Sequence, residues 1–132
     1  MNYIYVITPV GSDPEYKLKR ELLEKISVDT GCEFFFPLER HSKFSMDTTI
    51  ADLRRAALTI ADLSLERPSC YFELGIAQAL GVPVVMIAQA GTILHQTDNR
   101  QSPQFYSDSL EYYALVTHAI ESVSCVICQT IS

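Results

Sequence analysis

The sequence predicts a single α/β domain over residues 1–132, a mostly parallel sheet of four to five strands with helices on both faces. Two observations lead there. Short runs of unbroken apolar character alternate along the chain with longer segments whose apolar residues recur at helical spacing. Strands that read as continuous hydrophobic runs belong to sheets covered on both sides, and strand–helix alternation makes neighbouring strands parallel.

The elements follow in order. "YIYVIT" (3–8) is a β-rich first strand stopped by Pro9 and Gly11. Ser12 or Asp13 can cap the next helix, with Pro14 in its first turn. Residues 14–30 carry Leu18, Leu22, Leu23 and Ile26 at helical spacing, and Gly31 ends that helix. "CEFFFPL" (32–38) is a second strand closed by Pro37, and 39–46 is a polar loop. Asp47 or Thr48 can cap a helix over 48–57, with Ile50, Leu53, Ala56 and Ala57 as its apolar stripe. "LTIADL" (58–63) is a third strand, "SLERPS" (64–69) a turn, and "CYFELGIAQAL" (70–80) a helix stopped by Gly81 with Pro83 behind it. "PVVMIA" (83–88) is the fourth strand. A polar loop runs from Gly91 to about 107, a short strand around 110–113 is allowed, and Tyr112, Leu115, Val116, Ala119, Ile120, Val123 and Ile127 mark a last helix. The order suits a flavodoxin-like or Rossmann-like winding, although strand order is not fixed by sequence alone.

Composition excludes several classes of function. The hydrophobic fraction of 48% is too high for disorder, and the net charge of −6 disfavours a partner bound through a nucleic-acid backbone, which needs a basic face. No run of about 20 apolar residues is present, so no membrane span is expected. The first residues read as a strand, not a signal peptide. Cys125 and Cys128 form a C-x-x-C with no second Cys/His pair at zinc spacing, and they fit buried helix-face thiols better than a metal or redox site. A reduced, cytoplasmic protein is expected. His41, His95 and His118 show no triad or metal spacing, and Tyr3, Tyr5 and Tyr71 read as core or sheet residues.

In open parallel sheets, ligands bind at the carboxyl ends of the strands, where the winding reverses. Those ends are "TPVGSD" (8–13), "FPLE" (36–39), "ADLSLERPS" (61–69) and "AQAG" (88–91), and the polar residues gather there. Glu73 is expected at this edge, in the first turn of the helix leaving the third strand. There the helix dipole would hold it ionised. By itself that position gives a carboxylate that only stabilises its helix.

The stretch "ADLSLERPSCYFELGIAQALGVPVVMIAQAG" (61–91) resembles the nucleoside 2-deoxyribosyltransferase family. That family carries a strand ending in Ala-Asp-Leu, an Asn-Pro turn, an aromatic-Glu-Leu-Gly-x-Ala helix start and a Gly-x-Pro-Val strand. The matching residues are Ala61-Asp62-Leu63, Arg67-Pro68, Phe72-Glu73-Leu74-Gly75-Ile76-Ala77 and Gly81-Val82-Pro83-Val84, and "YVITPVG" is similar to the family's first strand and loop. The resemblance implies cleavage of the N-glycosidic bond of a nucleoside or nucleotide, by hydrolysis or transfer, with Glu73 as nucleophile. A carboxylate suits an oxocarbenium-like transition state. For the auxiliary acid/base it ranks Asp62 first, with Asp47 and Glu66 as other candidates. Thr8, Gly11, Ser12, Asp47, Arg67 and Ser69 are the expected substrate-binding residues. Arg67 departs from the family, which places Asp, Ser or Asn six residues before the nucleophile, and an arginine suits a phosphate.

The resemblance implies no metal and no bound cofactor. It implies a homodimer or higher homo-oligomer in which a neighbour's C-terminal segment completes the site, which makes "SVSCVICQTIS" (122–132) a candidate interface. A second, weaker resemblance joins "SLERPSCYFEL" to the NAD-cleaving stretch of Toll/interleukin-1 receptor (TIR) domains, through Ser69, Cys70, Glu73 and Leu74. Both place the same glutamate against an N-glycosidic bond. A module that binds a nucleotide or a partner without turnover is the alternative of a different class.

Overall fold

A computed structural model describes residues 3–95 and 101–131, with side chains through residue 123. Five parallel strands form one sheet: β1 (Tyr3–Ile7), β2 (Phe34–Phe35), β3 (Ala56–Asp62), β4 (Val84–Gln89) and β5 (Gln104–Tyr106), in the order β2-β1-β3-β4-β5. The helices are α1 (Tyr16–Thr30), the single-turn α2 (Pro37–Arg40), α3 (Met46–Arg55), α4 (Pro68–Leu80) and α5 (Ser109–Ile131). The α/β class and the parallel sheet are as the sequence predicts, and the strand order is that of the flavodoxin-like winding.

Alternation along the strands divides the core into two layers. Ile4 and Val6 of β1 and Leu58 and Ile60 of β3 pack on Leu23 and Ile26 of α1 and on Tyr112, Val116 and Ile120 of α5. Tyr5 and Ile7, with Ala61 and with Leu63 just beyond β3, pack on Leu53 of α3 and on Cys70, Leu74 and Ala77 of α4. Gly31 and Gly81 end their helices in the left-handed conformation (φ 76° and 72°), as a helix C-terminus demands.

Several boundaries differ from expectation, each for a local reason. β2 is only two residues long, because Pro37 opens α2 at its first position instead of closing a strand. α1 starts at Tyr16, and Asp13 Oδ1 accepts the Glu15 N–H just ahead of it. α3 begins two residues early, since Ser45 and neither Asp47 nor Thr48 is its cap; the Ser45 hydroxyl accepts the Thr48 N–H at 3.4 Å. β5 lies within the stretch expected to be a polar loop, and 110–113 belong to α5. Three residues are too few for a periodic signal. α4 starts at Pro68, so Glu73 sits in its second turn and not its first.

Among the described residues no helix is long and apolar enough to cross a membrane. The side chains of Cys125 and Cys128, and most of the expected tail interface, lie outside the described residues.

Candidate active site

The chain leaves β1 toward β2 on one side and returns to β3 on the other, so the winding reverses between β1 and β3. A cavity of about 720 Å³ opens at the carboxyl end of β1 beside this point. Five segments wall it: the β1 end and its loop (5–12), Tyr16 at the start of α1, α2 with the segment that follows (36–45), the start of α3, and the first turns of α4. Of the residues expected from sequence, Thr8, Gly11, Ser12, Arg67, Ser69 and Glu73 line it together. Asp62, Asp47 and Glu66 are not among its lining residues.

Glu73 is half-buried on α4 and reaches back to the sheet, where the hydroxyl of the fully buried Tyr5 donates to Glu73 Oε2 at 3.0 Å. Two effects oppose each other at this carboxyl. Burial raises its pKa, the Tyr5 hydrogen bond lowers it, and burial wins. This corrects the expectation that the helix start alone would keep Glu73 ionised: the dipole's influence fades within the first turn, and Glu73 lies beyond it. The same contact, after burial, pushes the Tyr5 phenol far above its ordinary value, so Tyr5 remains a donor. Its ring stacks on Phe35 at 5.5 Å, which fixes the direction of the hydroxyl.

Asp62 serves elsewhere. It shares the parity of Leu58 and Ile60, so its side chain points to the α1/α5 face while Glu73 approaches from α4. Its oxygens are engaged: Oδ1 accepts the Ser64 N–H at 3.0 Å, and Oδ2 accepts the Tyr106 hydroxyl at 2.7 Å and lies 3.2 Å from Lys19 Nζ. Lys19 also reaches Asp13 Oδ2 at 2.6 Å. Lys19 is 6% exposed and Asp62 1%, which makes this a buried brace joining α1, the β1 loop, β3 and β5. Burial alone would depress the Lys19 ammonium, but Asp62 and the Asp13 hydrogen bond outweigh it and raise the pKa. Burial beside Asp62 pushes the Tyr106 phenol up to about 12. Asp47 is exposed in the first turn of α3.

The histidine readings also change in part. His41 lines the cavity, and its Nε2 lies 2.9 Å from Asp52 Oδ2, while the Tyr3 hydroxyl holds the Asp52 carbonyl at 2.7 Å. The pair is eleven residues apart and on separate elements, so no motif announces it. His95 pairs instead with Glu66 at 2.8 Å, where it is the main influence lowering that carboxyl. The aromatic rim was missed as well: Phe44 (57% exposed) and Phe72 (51% exposed) meet edge to face at 5.5 Å on the cavity wall. Cys70 is buried between the two carboxylate systems, and burial followed by the Glu73 and Asp62 charges pushes its thiol up to about 11. Among the described residues no group of three or more His, Cys, Asp or Glu is placed to hold a metal ion.

This arrangement joins a doubly wound parallel sheet to a carboxylate held by a phenol in a crevice beside the switch point. No family model matches the sequence, and no curated protein matches it. Solved structures do. A 2-deoxyribosyltransferase from Bacillus psychrosaccharolyticus superposes with a TM-score of 0.64 at 19% identity, over 87% of this chain and 90% of that one. A CMP N-glycosidase from Clostridium botulinum superposes at 0.60 and 15% identity, over 87% and 97%. The TIR domain of a Toll-related receptor from Hydra magnipapillata superposes at 0.70 and 12% identity, over 94% and 99%. The chain is thus similar in fold to nucleoside-processing enzymes and to TIR domains, the two groups its central motif resembles.

Proposed function

We propose that the cavity cleaves the N-glycosidic bond of a nucleoside or nucleotide, with Glu73 as the nucleophile. The observation that carries this is the Tyr5–Glu73 contact: a half-buried carboxylate, held by one phenol, in the crevice beside the switch point. Partial desolvation makes a carboxylate more nucleophilic, and the phenol fixes which oxygen stays free. Glu73 Oε2 is occupied by Tyr5, so Oε1 is the attacking atom. It adds to C1′ as the base departs, and water then displaces Glu73 to give the free sugar. Names of the structural neighbours, a deoxyribosyltransferase and a CMP N-glycosidase, support the same bond type.

The departing base needs a proton. We assign this role, first expected of Asp62, to His41, which lines the same cavity and whose Nε2 lies 2.9 Å from Asp52 Oδ2. General acid assistance of this kind contributes roughly 10²–10⁴ in rate. A second reading, cleavage of the nicotinamide–ribose bond of NAD by the same glutamate, is favoured by the TIR-domain superposition together with the Ser69-Cys70-x-x-Glu73-Leu74 match.

The test is base release from deoxynucleosides, ribonucleosides, their 5′-monophosphates and NAD, followed by chromatography for the wild type, Glu73→Gln and His41→Asn. Release by the wild type, with Glu73→Gln inactive and His41→Asn slowed, supports the reading. Substrate left intact in every arm, with binding retained, gives a binding module instead.

A further inference from the structure

We infer that the cavity selects a phosphorylated nucleoside over the bare nucleoside, with the phosphate held by Arg67 and Lys43. The inference rests on the N-glycosidic reading above and narrows its substrate class. It comes from the balance of charge on the cavity wall. Five charged side chains besides His41 belong to the lining or compensate it: Glu39, its partner Arg20, Lys43, Arg67 and Glu73. Glu39 is neutralised, because Arg20 grips both of its oxygens at 3.0 and 3.2 Å, with its Cζ 3.9 Å from the centre of the Phe36 ring. His41 is committed to Asp52. Glu73 is committed to the chemistry. Arg67 and Lys43 remain, two cations with no ion pair or side-chain hydrogen bond to any described residue.

The two come from different elements that are brought together by packing. Arg67 is the residue at the N-cap of α4, six residues ahead of Glu73, and it offers no capping side chain of its own. Lys43 stands next to Phe44, whose ring meets Phe72 of α4 at 5.5 Å. That contact seats the 41–45 segment against α4, and both cations are among the residues that line the cavity. The loop after β1 supplies Gly11 to the same lining, and a Cβ there would meet nothing within 4 Å, so a ligand can approach the backbone. In a protein of net charge −6, two uncompensated cations in the lining of the cavity that holds Glu73 suit an anionic ligand. A neutral nucleoside would leave both cations unused. A phosphate ester on the sugar answers them, with Arg67 binding two oxygens as a fork and Lys43 acting as a point charge. A 5′-monophosphate and the pyrophosphate of NAD share this chemistry, and the experiment separates them.

Binding is measured by calorimetry on Glu73→Gln, which keeps the Tyr5 partner but stops turnover. The probes are the four common deoxynucleosides and four ribonucleosides, their 5′-monophosphates, and NAD, each at two salt concentrations. At least one phosphorylated probe is expected to bind ten-fold or more tightly than its own nucleoside, about the effect of one good charge-assisted contact. That preference is expected to weaken with salt and to vanish in the Arg67→Ala/Lys43→Ala background, while nucleoside affinity stays unchanged. A preference for NAD over every monophosphate assigns the phosphate wall to a dinucleotide. Equal affinity for nucleoside and nucleotide, or a preference untouched by the double substitution, overturns the inference and leaves the N-glycosidic reading standing. Failure of every probe to bind overturns both.

Discussion

The Tyr5 hydroxyl and Glu73 Oε2 stand 3.0 Å apart across the interface between β1 and α4, joining residues 68 positions distant in sequence. This bond favours the ionised form of Glu73 against burial. Removing the phenol oxygen should therefore raise the carboxyl further. In Tyr5→Phe the ring still stacks on Phe35, so the fold should survive. The acid limb of the pH profile of kcat/KM should move to higher pH than in the wild type. Activity on the acid side should fall relative to the wild type while the plateau at higher pH changes little, because the lost hydrogen bond favoured the charged carboxylate. An unchanged acid limb would separate Tyr5 from the ionisation of Glu73.

Glu73 also leaves a mark on stability, and its sign is fixed. A carboxyl whose pKa is higher folded than unfolded binds its proton more tightly in the folded state. Its favourable contribution is complete below the unfolded value, about 4.5, and is lost as pH rises through the folded value. At neutral pH the charged group is a burden. Glu73→Gln should melt a few degrees higher than the wild type at pH 7–8, and the difference should shrink toward pH 4–5. Thermal melts across pH check this. A carboxylate kept only for helix stability would show the opposite sign.

The brace at Asp62 predicts a different outcome. Lys19 is 6% exposed between Asp13 and Asp62, so Lys19→Met leaves two inward-facing carboxylates without their cation. Breaking a buried pair from one side costs about 3–5 kcal/mol. Because the Lys19 pKa is raised, its contribution is complete below the ordinary lysine value of about 10.4 and is lost only as pH climbs beyond it. The gap between wild type and variant in urea melts should thus stay flat from pH 6 to 9. The double variant Lys19→Met/Asp62→Asn should recover part of the loss. If Asp62 were a catalytic group and not a structural one, Asp62→Asn alone would abolish base release without moving the melt.

These results show which parts of the molecule were legible in the sequence. The continuous apolar runs gave β1, β3 and β4, and helical spacing gave α1, α4 and α5, because burial on both faces or on one stripe leaves a periodic trace. β5 left none: three residues with two of them exposed carry no pattern. At the site, the strand-end rule together with the resemblance pointed to Thr8, Gly11, Ser12, Arg67, Ser69 and Glu73, which line the cavity, and to Asp47, which does not. Asp62 went astray although its parity with Leu58 and Ile60 was readable, because which helices cover that face depends on strand order. Tyr5 looked like a core residue and is one. Its second role as the donor to Glu73, like the His41–Asp52 pair, arises from tertiary packing and has no local signature.

The turn that delivers α4 to the cavity carries the last prediction. Leu65 and Glu66 both adopt positive φ, 70° and 46°, in the 3-10 turn Ser64–Glu66 between β3 and α4. Side chains disfavour that region by about 1–2 kcal/mol per residue, so the turn is strained. Contacts around it hold the shape: Glu66 Oε1 accepts the Tyr71 hydroxyl at 2.9 Å and the His95 N–H at 3.2 Å, and the Ser64 hydroxyl accepts the Gln89 N–H at 2.8 Å. Leu65 itself is half-exposed and adds little to the core. Leu65→Gly should therefore be neutral or stabilising by about 0.5–1 kcal/mol, since relief of strain exceeds the entropy that glycine adds to the unfolded chain. Leu63→Gly, two residues earlier and fully buried, should destabilise the fold by about 3 kcal/mol or more, through the loss of a packed side chain. Urea denaturation of the two variants side by side makes the comparison. A large loss in Leu65→Gly would mean that its side chain, and not the surrounding hydrogen bonds, shapes the turn that presents Arg67 to the cavity.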